Sequence, residues 1–378
     1  MKKAFVFVAL ILSINYISAQ TDSAKPKKLL FPFNVLQKLQ EGNLKIVPIP
    51  VFTISPERGA SFGVVLNYFF RAANKEKDSL TRASLVYLNL QYSTRKQFVA
   101  EVGYSMYTNG EKYYLQGGFG YKDFYERYWT FSDNATNNKN FLGVDYGQLF
   151  FKGRALKNLG NKFFTGISYN VSSINKIKFE NKPIPAVPIV PGTDKSFVVG
   201  IGPAISIDKR DNQFSPQSGW YGEATLRFHQ KWMGSDYNYT QYNFDVRKYI
   251  PTKLKGILAL NAVATITNGT VPFLEKQKLG SDKIMRGYFA GRFRDNEFAA
   301  AQVEYRYPIG KSFVLAAFAS AGQTAERLNK MELDLMQHSI GGGIRYLVNK
   351  EKHLYIRIDA GYTRQKNVGF YFALGDAF

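Results

Sequence analysis

The chain has 378 residues, no cysteine, three histidines and a formal charge of +21. It therefore holds no disulfide framework and no thiolate metal site, and His229, His338 and His353 lack the spacing of a zinc site. A charge this basic suits either nucleic acid or an anionic membrane surface. The first segment decides between them. Lys2 and Lys3 precede an almost wholly apolar stretch, Ala4–Ile14, and Ile17-Ser18-Ala19 brings small residues before Gln20. That is the layout of a secretory signal peptide over residues 1–19, cleaved after Ala19. As a membrane anchor the apolar run is too short for about 30 Å of hydrocarbon. Export sets the basic chain against outer-membrane lipid or lipopolysaccharide and away from nucleic acid.

Residues 20–47 are too few for a folded domain. They form either a short amphipathic helix over Leu29–Leu39, lying against or inside the domain built by the rest of the chain, or a disordered leader. From residue 48 no apolar run reaches the length of a spanning helix, while the whole chain carries 31 Phe, 25 Tyr and 32 Gly. Instead, segments of about ten residues alternate with period two. Their expected cores are 48–55, 60–71, 81–93, 97–107, 112–121, 143–155, 162–174, 197–207, 219–231, 237–250, 256–267, 298–308, 312–321, 338–348, 353–364 and 368–378. In 197–208, Phe197, Val199, Ile201, Pro203, Ile205 and Ile207 oppose Val198, Gly200, Gly202, Ala204, Ser206 and Asp208. In 368–378 a largely bulky face, Val368, Phe370, Phe372, Leu374, Asp376 and Phe378, opposes Gly369, Tyr371, Ala373, Gly375 and Ala377. The prediction is an all-β chain, a transmembrane antiparallel β-barrel of about sixteen strands over 48–378. The competing fold is a large soluble all-β domain, whose polar faces would look into water.

The connections support the barrel. With the first strand running outward, alternate connections such as Thr108–Glu111, Lys157–Asn161, Asp208–Ser218 and Pro251–Lys255 are short and turn-like, and Ala73–Leu80 belongs with them. Lys122–Leu142, Lys176–Ser196, Asn268–Glu297 and Gly322–Gln337, on the other side, are long, and Pro183–Pro191 stiffens one of them. Short periplasmic turns with long outer loops are the asymmetry of an outer-membrane barrel.

The inward faces carry Glu101, Asp208, Arg210, Glu223, Arg227, Asp245, Arg247, Glu304, Arg306, Arg345, Arg357 and Asp359. Interleaved signs predict a cross-strand ion network, with a selectivity lining as the alternative. No Ser–His pair is placed for a lipase and no glycine-rich phosphate loop occurs, so no catalytic residue, cofactor or metal is expected. The closing seam joins 48–55 to 368–378. Pro48 and Pro50 donate no ladder hydrogen bond, and Gly369 and Gly375 weaken the last strand. The seam is either a sideways gate or an ordinary closure.

The most specific stretch is Leu279-Gly280-Ser281-Asp282-Lys283-Ile284-Met285-Arg286-Gly287-Tyr288, followed by Val303-Glu304-Tyr305-Arg306. It resembles the sixth outer loop and following strand of the BamA/TamA family (bacterial surface antigen family), which carries V-R-G-F/Y at the loop tip. Asp208-Lys209-Arg210-Asp211-Asn212 with Pro216 and Gly219, Ser55-Pro56-Glu57-Arg58-Gly59 and the terminal Phe378 add to the likeness, which spans about residues 48–378. The resemblance implies an inward-folded loop whose Met285, Arg286, Gly287 and Tyr288 sit in the lumen, with Arg286 on Glu304. A guanidinium shielded from water needs a carboxylate; an exposed Arg286 on anionic lipid is the other possibility. The family's second acid, in F-x-D-x-G, is replaced in Phe318-Ala319-Ser320-Ala321-Gly322 by Ser320. The clamp is then weaker, or Asp359 substitutes. The resemblance also implies a role in insertion or translocation of client proteins, or of lipid, and a lateral seam that opens. The periplasmic POTRA modules of the family find no room here. A channel plugged by the sixth loop and a structural or surface-interaction barrel are the alternatives.

Overall fold

The computed structural model describes residues 46–55, 59–72, 81–129, 141–180, 190–350 and 352–378. The signal peptide 1–19, most of the leader 20–47, Pro56-Glu57-Arg58, the whole turn Ala73–Leu80 and 183–189 of the proline-rich segment lie outside the described residues.

In chain order the strands are β1 (Ile46–Ser55), β2 (Gly59–Phe70), β3 (Ser84–Ser93), β4 (Phe98–Tyr107), β5 (Tyr113–Tyr128), β6 (Leu142–Asn158), β7 (Phe163–Phe179), β8 (Ser196–Asp208) and β9 (Gly219–His229). They continue as β10 (Tyr239–Pro251), β11 (Ile257–Gly269), β12 (Gln277–Lys278), β13 (Arg294–Asp295), β14 (Glu297–Ile309), β15 (Phe313–Ala325), β16 (Gln337–Asn349), β17 (Leu354–Thr363) and β18 (Val368–Leu374). β12 and β13 pair as a small ribbon inside the sixth outer loop, and the others close into one antiparallel barrel. The expected sixteen-strand barrel is borne out. Among the described residues no helix is long and apolar enough to cross a membrane.

Period-two alternation sets the two faces. Along β8, Phe197, Ile201 and Ile205 point out and are about half exposed, while Val198, Ala204 and Ser206 are buried. Phe119, Leu149, Ile340 and Phe370 extend the outer apolar belt around the wall. In water such a belt would drive aggregation. In hydrocarbon it matches its solvent, and the closed ladder leaves few peptide groups unpaired.

The expected ends of four strands need correction. β5, β6 and β7 run well past 112–121, 143–155 and 162–174, with 16, 17 and 17 residues. A strand needs only about 9–11 residues to cross the bilayer. Their outer halves therefore stand above it, where Asp123 and Lys178 are exposed and Lys122 and Glu126 face inward, so the apolar alternation fades while pairing continues. β18 stops at Leu374 instead of running to Phe378. Gly375 has φ +78° and turns the chain into the lumen.

The seam is the least bonded line of the wall. Among the described residues β1 and β2 share ten opposed pairs and β17 and β18 share seven, whereas β1 meets β18 only at Ile54–Phe370. The Thr94 amide donates to the Ala60 carbonyl at 2.8 Å, so even-numbered residues of β2 turn their peptide groups toward β3. Pro48 and Pro50 stand opposite Leu66 and Val64. They occupy non-hydrogen-bonded positions against β2 and turn their hydrogen-free nitrogens toward β18. The prolines cost the β1–β2 ladder nothing; in the Ile54–Phe370 register Pro50 faces Leu374 at the end of β18 and removes a donor there, while Pro48 lies past that end.

Candidate functional site: the inward-folded sixth outer loop

Between β11 and β14 the chain enters the barrel. Met285 at φ +55° and Gly287 at φ +103° reverse the backbone at the tip. Leu279, Met285 and Tyr288 bury against Phe298 and Ala300 of β14. The Tyr288 hydroxyl donates to the His338 carbonyl at 2.8 Å, and Gln302 donates to the Lys283 carbonyl at 2.9 Å. These contacts fix the tip before any charge is counted.

Arg286 is fully buried. It donates through one terminal nitrogen to Glu304 of β14 at 2.8 Å and through the other to Asp359 of β17 at 2.6 Å. Its guanidinium lies 3.4 Å from the Phe318 ring centroid. Ser320, at the position of the missing acid, instead pairs with the Ser339 hydroxyl at 2.7 Å. The second carboxylate thus comes from Asp359, on a different strand.

Both acids are shared. Arg306 donates to Glu304 at 2.8 Å, Arg345 lies 3.2 Å from Glu304 and also pairs with Asp359, and Arg357 donates to Asp359 at 2.7 Å. Asp376 joins from the inturned tail, 3.0 Å from Arg306 and 3.3 Å from Arg345. Four arginines and three carboxylates thus form one water-poor cluster, each about 2% exposed or less. Buried charges of this kind persist only when each is paired and hydrogen-bonded.

The loop tip also leans on the seam side of the barrel. The Gly287 amide donates to the Tyr371 hydroxyl of β18 at 2.8 Å. A Cβ on Gly361 of β17 would sit 2.4 Å from the Arg286 carbonyl oxygen. Gly361→Ala should therefore push the tip out of its seat, because backbone there cannot yield. Protease cleavage within 270–296 on intact cells should rise severalfold over the parent; unchanged protection would disprove this seating.

A second anchor holds the loop higher up. Glu126 near the top of β5 accepts from Lys278 and Arg294 of the β12–β13 ribbon and from the Tyr146 hydroxyl. Phe273 and Leu274 pack beneath it against Tyr128, Leu142, Val144, Tyr146 and Ile174. Glu126→Gln removes the charge that both cations share. We expect it to loosen the ribbon and expose Lys276 and Lys278 to trypsin while leaving the Arg286 seat intact. Identical tryptic fragments from both proteins would refute that.

The remaining predicted residues lie in the β8–β9 turn, along the seam and in the C-terminal tail. Arg210 grips Asp208 with two bonds of 2.8 Å, and Arg82 reaches the same carboxylate at 2.6 Å. Asp211 accepts amides of Asn212, Gln217 and Ser218 and so shapes the β8–β9 turn. The Pro216 carbonyl accepts from Arg306 at 3.3 Å, and Gly219 opens β9. Pro48, Pro50 and Gly369 lie along the seam. Phe378 does not. It is buried inside beside Tyr249, and its carbonyl accepts from Arg306 at 3.1 Å, because the turn at Gly375 carries the tail inward. Sequence reasoning missed Arg82, Glu111, Glu126, Arg154, Lys278, Arg294 and Asp376. Glu126 is visible as an inward position once β5 is given its full length, and Arg154 already lies on an inward position of the expected core 143–155. Among the described residues no group of His, Asp and Glu is arranged to hold a metal ion.

An apolar-belted, closed antiparallel barrel with a charged interior and a loop folded into it is an outer-membrane barrel. More narrowly, the chain belongs to the Omp85 superfamily, whose domain matches residues 80–378. Its structure is similar to BamA from Haemophilus ducreyi lacking POTRA domains 1-3, at 13% identity and TM-score 0.55, over 88% of this chain and 70% of that one. It is also similar to CdiB from Escherichia coli (9% identity, TM-score 0.56, 88% of this chain, 62% of that one). CdiB from Acinetobacter baumannii gives 10% identity and TM-score 0.52, over 88% and 60%. The chain thus spans about three-fifths of the length of the two CdiB proteins. No curated protein sequence matches it.

Proposed function

We propose that this barrel assists the insertion or translocation of proteins, or of lipid, at the bacterial outer membrane by parting at the β1–β18 seam. One observation carries the reading: among the described residues the two strands share a single opposed pair, and Pro48 and Pro50 turn nitrogens without hydrogens toward that edge. An edge so sparsely bonded can take up another strand, whose peptide groups replace those of β18. In hydrocarbon an unpaired peptide group is costly, so an opened edge favours a client strand over lipid. In this reading residues 1–19 direct export, residues 20–47 are a leader, and the clients are outer-membrane or secreted proteins. The family to which the chain belongs supports that role.

The test is a lock. Directly opposed residues of adjacent strands lie within disulfide range, so Ile54→Cys with Phe370→Cys should form a bond across the seam. In cells depleted of the parent protein, oxidised I54C/F370C should fail to restore outer-membrane protein levels, and a reductant should rescue it. Full function with the bond formed would exclude the seam as the route.

A second reading is a selective channel plugged by the sixth loop. It is favoured by the cavity of about 590 Å³ lying directly under the loop tip.

A further inference from the structure

We propose that this lumen cavity is a binding site for a small phosphate-bearing sugar. The proposal is independent of whether the seam opens. The cavity, about 590 Å³, is roofed by Asp282 and Lys283 of the loop tip and floored by Arg210, Gln213 and Phe214 of the β8–β9 turn. A volume of this size suits a ligand of small-molecule dimensions.

The lining carries more positive charge than its own carboxylates absorb. Arg154 is matched by Glu223, Arg210 by Asp208, Arg247 by Asp245, and Arg357 by Asp359 and Asp282. Lys152, Arg227 and Lys283 line the same space, and among the described residues none has a carboxylate in ion-pair range. Arg227 donates to Gln241 at 2.6 Å, and the Lys152 ammonium lies 5.3 Å from the Phe150 ring. Against these three cations stands one carboxylate without a cation, Glu101, bonded to the Tyr87 hydroxyl at 3.0 Å. A second observation is independent of charge. The Ser168 hydroxyl, on a residue 2% exposed, and the Nε atoms of Arg154 and Arg227 have no hydrogen-bond partner. Buried polar groups left unpaired imply something that pairs them.

Three cations without a carboxylate partner, Arg227 among them with an unpartnered Nε, fit a dianionic phosphate better than a single carboxylate, since each phosphate oxygen accepts charge-assisted bonds. Around them Tyr87, Tyr104, Tyr114, Gln116 and Asn243 present ring faces with hydroxyl and amide groups. Those are the partners of a hydroxyl-rich ring rather than of an acyl chain. The strands also wall this space off from the hydrocarbon.

The test is calorimetric titration of the full-length protein in detergent micelles with glucose 6-phosphate, glucose, inorganic phosphate and dihexanoyl phosphatidylglycerol. The expected result is saturable one-to-one binding of glucose 6-phosphate that weakens as salt rises. Arg227→Gln or Lys152→Gln should weaken it about tenfold, the loss of one charge-assisted bond, and Ser168→Ala about fivefold. Circular dichroism and retained resistance to heat in detergent confirm that each variant is folded. The proposal fails if no saturable binding occurs, if folded variants bind as the parent does, or if glucose binds equally well. It also fails if inorganic phosphate matches glucose 6-phosphate, which removes the sugar, or if the phospholipid binds more tightly, which makes the ligand a lipid headgroup.

Discussion

Arg286→Ala should release the sixth loop from the lumen and raise the conductance of the barrel in planar bilayers severalfold. The side chain is fully buried and bridges β14 to β17 through Glu304 at 2.8 Å and Asp359 at 2.6 Å. Each charge-assisted bond contributes about 1.5–3 kcal/mol, and the stacking on Phe318 adds to them. The two acids keep Arg306, Arg345 and Arg357 as partners, so the wall survives and the loss falls on the loop. Arg286→Lys separates charge from shape. An ammonium has no planar fork with which to hold two carboxylates on different strands, so the lysine variant should behave more like alanine than like the parent. The readouts are single-channel conductance and protease cleavage between 270 and 296 on intact cells. If conductance and cleavage are the same in all three proteins, the bridge does not hold the loop.

Glu304→Gln should be more damaging to the barrel itself than Arg286→Ala, although it changes fewer atoms. The cluster of Arg286, Arg306, Arg345 and Arg357 with Glu304, Asp359 and Asp376 begins with four cations and three anions. Removing Arg286 balances it at three of each. Removing the Glu304 charge leaves four against two, and Arg286, Arg306 and Arg345 all lose the same partner. Breaking a buried pair in this way costs about 3–5 kcal/mol. The expected outcome is a melting temperature in detergent well below that of both the parent and Arg286→Ala. The double variant R286A/E304Q, at three cations to two anions, should recover part of the loss, a coupling that only groups in one network show. Additive losses would mean that the arginine and the acid do not act together.

Much of the fold was legible because a barrel wall in lipid leaves little choice. Each strand must turn apolar residues outward, so Phe197, Ile201 and Ile205 declare β8 without reference to any partner. The signal weakens wherever lipid ends. Lys122, Asp123 and Glu126 interrupt the pattern, so the upper part of β5 read as loop although its ladder to β6 continues to Tyr128. At the C-terminus the sign lies in the sequence itself. Asp376 broke an otherwise apolar face and followed a glycine, and the chain turns there to bring the acid to Arg306 and Arg345. In the loop, alternation alone placed Glu304 inward. The meeting of Arg286 with Asp359 spans three strands of wall, and no local pattern reports a contact of that range. Ser320 illustrates the same limit: its neighbourhood suggested a missing acid, but only the assembled wall shows where the replacement stands.

The height of β5, β6 and β7 has a consequence for whatever meets the cell from outside. Their outer ends, near 122–128, 142–147 and 175–179, form a rigid palisade on one side of the mouth. The sixth loop, by contrast, hides its tip within the wall. Antibodies raised against the folded protein should map first to that palisade, and a serum selected on whole cells should bind a peptide of residues 279–288 poorly.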